Sequence, residues 1–353
     1  MRSLLALSAA LLAIVHGADR GASQTAQATA ASLDRDAGQL IVSGYAGATP
    51  SRSMLRSVRA GRIGSVILFG ANTRRGIAAT RRSVHELQAA AKAGGNPRLL
   101  VMTDQEGGEV NRLPGAPTFA ASQMSDPSVA LSQGRAAARV LRSAGVDVDL
   151  APVADVVRTD GFIAAEHRSF SSHPRTVAAA ACAFARGLTE GGVAYTLKHF
   201  PGLGDARQST DDQPVSVDES RADLSADQAA YRRCGRSAGA LVMLSSASYP
   251  HLTGRTPAVL SPFIYHHVLP GDGVTAVTIS DAFTTPAVLA QPNAGRRAVA
   301  AGLDMLLYSE GEATAERGDA GLRRALSTGR LSAARVRAAA ARVLALKRAL
   351  GSV

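Results

Sequence analysis

The chain has 353 residues, 46% of them hydrophobic, enough for one large core or two small ones. No apolar run reaches the ~18 residues that a membrane-spanning helix requires, so stable membrane insertion is not expected. The formal net charge of +11 comes mostly from scattered arginines, with no dense basic run interleaved with aromatics. That pattern argues against nucleic-acid binding and suits attraction to an anionic wall or membrane surface.

In chain order, "MRSLLALSAALLAIVHGA" (1–18) has an early Arg, a short apolar stretch and then small residues, the layout of a secretory signal peptide. The Ala/Ser/Thr/Gln-rich stretch 19–35 reads as a flexible linker. From there, apolar and β-branched runs alternate with Ala/Arg/Leu-rich helical patterns. The runs are "QLIVSGY" (39–45), "GSVILFG" (64–70), "RLLVMTD" (98–104), "VDVDLAPVAD" (146–155), "VAYTLKHF" (193–200), "GALVMLSS" (239–246), "VTAVTISD" (274–281) and "LDMLLYS" (303–309). Helices are expected at 81–94, 126–144, 175–190, 224–237 and 331–349. Continuous rather than alternating apolarity fits strands buried on both faces of a parallel sheet. Eight such units predict an α/β fold, a single (β/α)8 TIM barrel over 36–350. An open doubly wound sheet is the lesser reading, because "SGYAGATPSR" after the first run is a poor phosphate-binding fingerprint.

In a barrel the C-terminal strand ends converge on one face. Asn72, Asp104, Asp155, Lys198, His199, Ser245, Ser246, Asp281, Tyr308 and Glu310 occupy or follow those ends, and so many polar residues there predict a pocket for a polar ligand. Cys182 and Cys234 are too few for a disulfide scaffold, although two thiols in an oxidising compartment often pair. Their place in the two helical patterns flanking "KHFPGLG" makes one bridge geometrically plausible, and the pairing is left open. The histidines are scattered and no Cys/His ligand spacing appears, so neither a metal nor another cofactor is expected.

Six segments occur in order on successive units: "TDQEGGEVNRLP" (103–114), "DLAPVADV" (149–156), "RSF" (168–170), "KHFPGLG" (198–204), "SDAF" (280–283) and "AGLDMLL" (301–307). Together they resemble glycoside hydrolase family 3, specifically its single-domain β-N-acetylhexosaminidase branch. The resemblance implies hydrolysis of terminal β-N-acetylglucosamine, often from cell-wall fragments, with retention of configuration; with the signal-peptide pattern, an exported enzyme acting on small cell-wall or chitin-derived saccharides is expected, and a monomer. Carried over by position, Asp281 is the nucleophile, and Asp104, Arg112, Arg168, Lys198 and His199 bind sugar hydroxyls. Asp104 has a capping role as its alternative, Arg168 a surface pair with Glu166, and His199 a core position beneath the site. Asp155 is counted with the sugar-binding set, with orientation of other groups as an equal reading.

One part of the family pattern is missing. The branch places a His, preceded two residues earlier by an Asp, in the loop after "KHFPG"; here those positions hold Asp211 and Ser209. Leu203 also replaces a His that often follows the motif. The general acid is therefore expected to be Asp211, provided its pKa is raised by the nearby nucleophile and by enclosure. A silent sugar-binding relative and a phosphorylase using Arg207 are the alternatives. Trp is absent, leaving Tyr45, Phe69 or Tyr249 as sugar-stacking candidates.

Overall fold

A computed structural model describes residues 31–158 and 160–351. The expected signal peptide and linker residues 19–30 lie outside the described residues. Residues 31–35, expected as the end of the linker, are helical and continue into a helix that reaches residue 39.

The eight apolar runs each contribute one parallel strand, shorter than the run itself: β1 (Ile41–Ser43), β2 (Ser65–Leu68), β3 (Leu100–Thr103), β4 (Val148–Asp149), β5 (Ala194–Phe200), β6 (Ala240–Leu244), β7 (Val277–Ser280) and β8 (Leu306–Tyr308). The ladder runs β8-β1-β2-β3-β4-β5-β6-β7. A parallel bridge between Ile279 and Met305 then joins β7 to β8 and closes the barrel. The expected single-domain (β/α)8 barrel is the fold observed. β4 is short, and Pro152 just beyond it has no N–H to give the ladder; the chain stays in touch with β5 through the Thr196 N–H to the Ala151 carbonyl at 2.9 Å and a bridge between Val153 and Lys198.

Strand alternation sorts the core into two layers. Ile67, Leu100, Met102, Val148, Leu241, Met243, Ile279 and Leu307 fill the inside of the barrel. Their neighbours Val66, Leu68, Val101, Val242, Leu244 and Leu306 face the surrounding helices. The helix Ala333–Ala349 contributes Val343 and Leu346 to the inner cluster.

Helices form where local capping and apolar spacing agree. In Pro127–Ala144, Asp126 accepts the Ser128 N–H at 2.7 Å, Pro opens the first turn, and Gly145 at φ 82° ends the helix. The helix expected at 224–237 is two short ones, Arg221–Asp227 and Ala229–Cys234.

Cys182 and Cys234 form a disulfide with a Cα–Cα distance of 5.8 Å, tying the helix Pro174–Glu190 to the helix Ala229–Cys234 across 52 residues of sequence. The closed loop contains β5 and the segment 203–214. Replacing both cysteines by serine should lower unfolding free energy by about 4 kcal/mol if the bond acts by restricting the unfolded chain. Urea denaturation of the oxidised protein and the double variant checks this; an unchanged midpoint would show that the bond adds no stability.

Candidate active site

The inward register of the strands continues past their ends. Residues 100 and 102 of β3 point into the barrel, and so does Asp104; the same parity carries Ile67 to Phe69, Ile279 to Asp281 and Leu307 to Ser309. All four end residues line a cleft of about 410 Å³ at the C-terminal mouth. Lys198 and His199 reach the same cleft from β5, and the peptide between them is cis.

A buried charge network forms one wall. Lys198, 2% exposed, donates from Nζ to Asp104 Oδ1 at 2.7 Å and lies 2.7 Å from Glu106 Oε1. Glu106 in turn receives Arg168 through two bonds, Nε to Oε2 at 2.8 Å and Nη2 to Oε1 at 3.0 Å. Arg168 Nη1 reaches Glu166 at 3.0 Å. Burial alone would raise the Glu106 pKa, but Lys198 and Arg168 overcome it and hold the carboxyl at about 2. Burial likewise works against the Lys198 charge, and Asp104 with Glu106 reverses it, so that its pKa is raised. Removing one partner of such a buried cluster typically costs about 3–5 kcal/mol, because the others remain charged and unpaired. The network therefore stays ionised and rigid, with Asp104 (its side chain 13% exposed) facing the cleft at its edge.

The segment after β5 forms the opposite wall. Asp155 receives the backbone N–H groups of His199 at 3.1 Å and Leu203 at 2.8 Å, and its second oxygen meets His199 Nδ1 at 2.7 Å. A carboxylate already holding two N–H donors takes a third from the ring, which leaves His199 Nε2 for the cleft. A Cβ on Gly204 would lie 1.7 Å from the Val156 carbonyl oxygen, so only glycine lets the loop lie this close to the 149–156 segment. The loop then folds back over the cleft. The Ser209 hydroxyl accepts the Asp211 N–H at 3.2 Å, and Thr210 Oγ1 reaches Asp281 Oδ2 at 3.5 Å. Asp281 Oδ1 is held by the Ala282 N–H at 2.8 Å.

Asp211 lines the cleft at its solvent-exposed rim. Partial burial against the cleft wall, then the Asp281 carboxylate, push its pKa up to about 6; Asp212 adds to the rise, while His199 and Arg168 oppose it. A carboxyl raised this far is protonated in appreciable fraction at mildly acid pH, above the range of an ordinary Asp.

The profile of the Glycosyl hydrolase family 3 N terminal domain matches residues 32–346. The chain belongs to glycoside hydrolase family 3. Membership makes it an O-glycosidase. Its sequence is 36% identical over 305 residues to an uncharacterized secreted glycosyl hydrolase of Arthroderma benhamiae, covering 83% of this chain and 86% of that one. A beta-hexosaminidase of Stenotrophomonas maltophilia is 36% identical over 237 residues, 62% of this chain and 67% of the relative. Among solved structures, the beta-N-acetylhexosaminidase of Beutenbergia cavernae superposes with a TM-score of 0.81 at 32% identity, covering 90% of this chain and 98% of the other. A family 3 beta-N-acetylglucosaminidase of Paenibacillus sp. gives a TM-score of 0.82 at 27% identity; this chain covers 62% of that one.

Within this family 3 site, the expected residues separate into two groups. Asp104, Arg112, Arg168, Lys198, His199, Asp211 and Asp281 all line the one cleft. Arg112 is anchored through its backbone, the N–H to Asp104 O at 3.3 Å and the C=O to the Thr73 hydroxyl, while its buried Nε has no partner among the described residues. Asp155, placed with the sugar-binding set, is instead fully buried outside the cleft lining; its side chain holds only His199 and the Leu203 N–H, which fits the orienting role that was its equal reading. Ser245 and Ser246 are also buried away from the cleft, Ser245 Oγ accepting the Ala247 N–H. Asn72 spends its amide on Phe69 N–H and the Tyr45 and Gly47 carbonyls. Tyr308 points outward against Phe283. Of the three stacking candidates only Phe69 faces the cleft, where Phe162 joins it. Glu106, not among the expected site residues, lies two residues beyond Asp104 in extended chain, on the same face, a spacing visible in the sequence.

Proposed function

We propose that this chain is an exported, retaining β-N-acetylhexosaminidase that removes terminal β-linked N-acetylglucosamine from cell-wall or chitin-derived saccharides through a glycosyl-Asp281 intermediate. The observation that carries this reading is the loop 203–214, which brings a carboxyl of raised pKa, Asp211, into the cleft that holds Asp281. The sugar choice rests on the relatives named beta-hexosaminidase and beta-N-acetylhexosaminidase. Export is supported by the signal-peptide pattern, the Cys182–Cys234 bond and the description of the Arthroderma relative as secreted.

In the first step Asp281 attacks the anomeric carbon as the bond to the leaving oxygen breaks, and Asp211 gives that oxygen its proton. In the second, Asp211 takes a proton from water, whose oxygen displaces Asp281 and restores the β configuration. Asp104, Arg112 and His199 Nε2 face the cleft as fixed partners for hydroxyls, and the Lys198–Glu106–Arg168 network prevents them from drifting.

Phosphorolysis gains no support from Arg207, which faces a separate depression with Pro214 and Asp218 on the outer side of the loop. Product stereochemistry tests the reading. Proton NMR of a fresh digest of an aryl β-N-acetylglucosaminide should show the β-anomer first, with the α-anomer growing only by mutarotation. An α-anomer at the earliest times would overturn retention. A sugar 1-phosphate formed on adding phosphate would replace hydrolysis by phosphorolysis, and binding without product would leave a silent relative.

A further inference from the structure

A second cavity lies outside the barrel, between the start of the helix Ala294–Ala301, which follows β7, and the helix Glu312–Ser327, which follows β8. It measures about 210 Å³ and has no counterpart in the hydrolytic chemistry. Tyr308 forms its inner wall. Because Leu307 and Ser309 face the catalytic cleft, Tyr308 between them faces away from it.

The charged groups lining this cavity are all cations. Arg296, Arg317, Arg324 and Arg330 surround it, and no carboxylate lines it. On the same helix Arg323 is paired with Asp34 and Asp319, whereas none of these four guanidiniums meets a carboxylate among the described residues. The helix Ala294–Ala301 opens into the cavity at residues 294–296, and its N-cap Asn293 makes no side-chain capping bond, so first-turn N–H groups remain without a side-chain acceptor. A further, independent sign is the Tyr308 hydroxyl. The residue is 7% exposed, its ring is wedged where a Cβ on Gly318 would come within 2.3 Å, and its hydroxyl has no protein partner among the described residues. The ring is buried while the hydroxyl opens onto the cavity, where it can donate to an acceptor seated there.

We propose that this cavity binds a phosphoryl oxyanion, received by the Tyr308 hydroxyl, the N–H groups at the start of the helix and the arginine fork. Planar guanidiniums match phosphate oxygens bidentately, and a helix N-terminus favours negative charge. A phosphate site built from the elements after strands seven and eight recurs in (β/α)8 barrels, a parallel at the level of the fold alone. The anion is either free phosphate or a phosphodiester carried on a polymer. The latter would hold the enzyme on an anionic matrix while the catalytic cleft stays open. No covalent step is involved.

The test uses the full chain in phosphate-free buffer. Inorganic phosphate, and separately a poly(glycerol phosphate) chain, are titrated calorimetrically against sodium chloride of matched ionic strength. Saturable binding of at least one probe is expected, weakened about tenfold or more in Arg324→Gln/Arg330→Gln, whose two altered side chains are exposed and make no ion pair. Tyr308→Phe should weaken binding with an unchanged melting temperature. Hydrolysis of the aryl substrate should be unaltered in the double variant, which separates this site from the hydrolytic reading. Tighter binding of the polymer identifies the phosphodiester as the ligand; binding of inorganic phosphate alone identifies the free ion. Heats no larger than those of chloride, or phosphate binding that survives the double variant, would overturn the proposal.

Discussion

Asp281→Ala should lower turnover of an aryl β-N-acetylglucosaminide by on the order of 10⁴-fold or more, while saccharide binding persists. The carboxylate is held by the Ala282 N–H and approached by Thr210. Loss of its oxygen removes the atom that forms the glycosyl bond but leaves the Lys198–Glu106–Arg168 wall intact. Azide, small enough to enter the vacated space, should restore partial turnover and give the α-glycosyl azide, the product of direct attack from the side Asp281 occupied. Retention of the full rate in the variant would remove Asp281 from the chemistry.

Asp211→Ala is the second large effect, and it depends on the substrate. Positioned acid catalysis contributes roughly 10²–10⁴-fold, so a saccharide with a poor leaving group should lose that much, and an activated aryl substrate far less. Equal losses on both would exclude the acid role. The pH dependence has a definite sign. A general acid works only while protonated, and the Asp211 pKa is pushed up to about 6, so kcat/KM for the poor leaving group should fall as pH rises through about 6. In Asp211→Ala that limb should disappear. A basic limb unchanged in the variant would belong to another group.

The departure from the family pattern thus has a physical reading. Ser209 stands at the position of the tuning Asp and holds the loop turn through the Asp211 N–H. Leu203, at the position of a frequent His, faces the cleft as an apolar wall and gives its N–H to Asp155. With Ser at the position of the tuning Asp, the Asp211 pKa is raised chiefly by partial burial and then by the charge of Asp281.

Local patterns in the chain were sufficient for the barrel. Each buried run is continuous because both faces of its strand are covered, and caps such as Asp126 and Gly145 mark helix ends through their own short-range bonds. The order of strand ends placed Asp104, Lys198 and Asp281 at one mouth, since a closed parallel sheet leaves them nowhere else to converge. Shifts in register and the reach of loops were not available from the sequence. Asp155 lies beyond the short strand β4, and only the packed fold turns it from the cleft to His199. Tyr308 and Ser309 differ by one position and face opposite sides of the wall, which decides that one borders the arginine cavity and the other the catalytic cleft. Glu106 acquires its place from Arg168 and Lys198, the first of them 62 positions away in the chain. Chemical identity was a property of single residues and short segments. Which charges meet, and which hydroxyl is left without a partner, depends on contacts between distant segments that exist only once the barrel has closed.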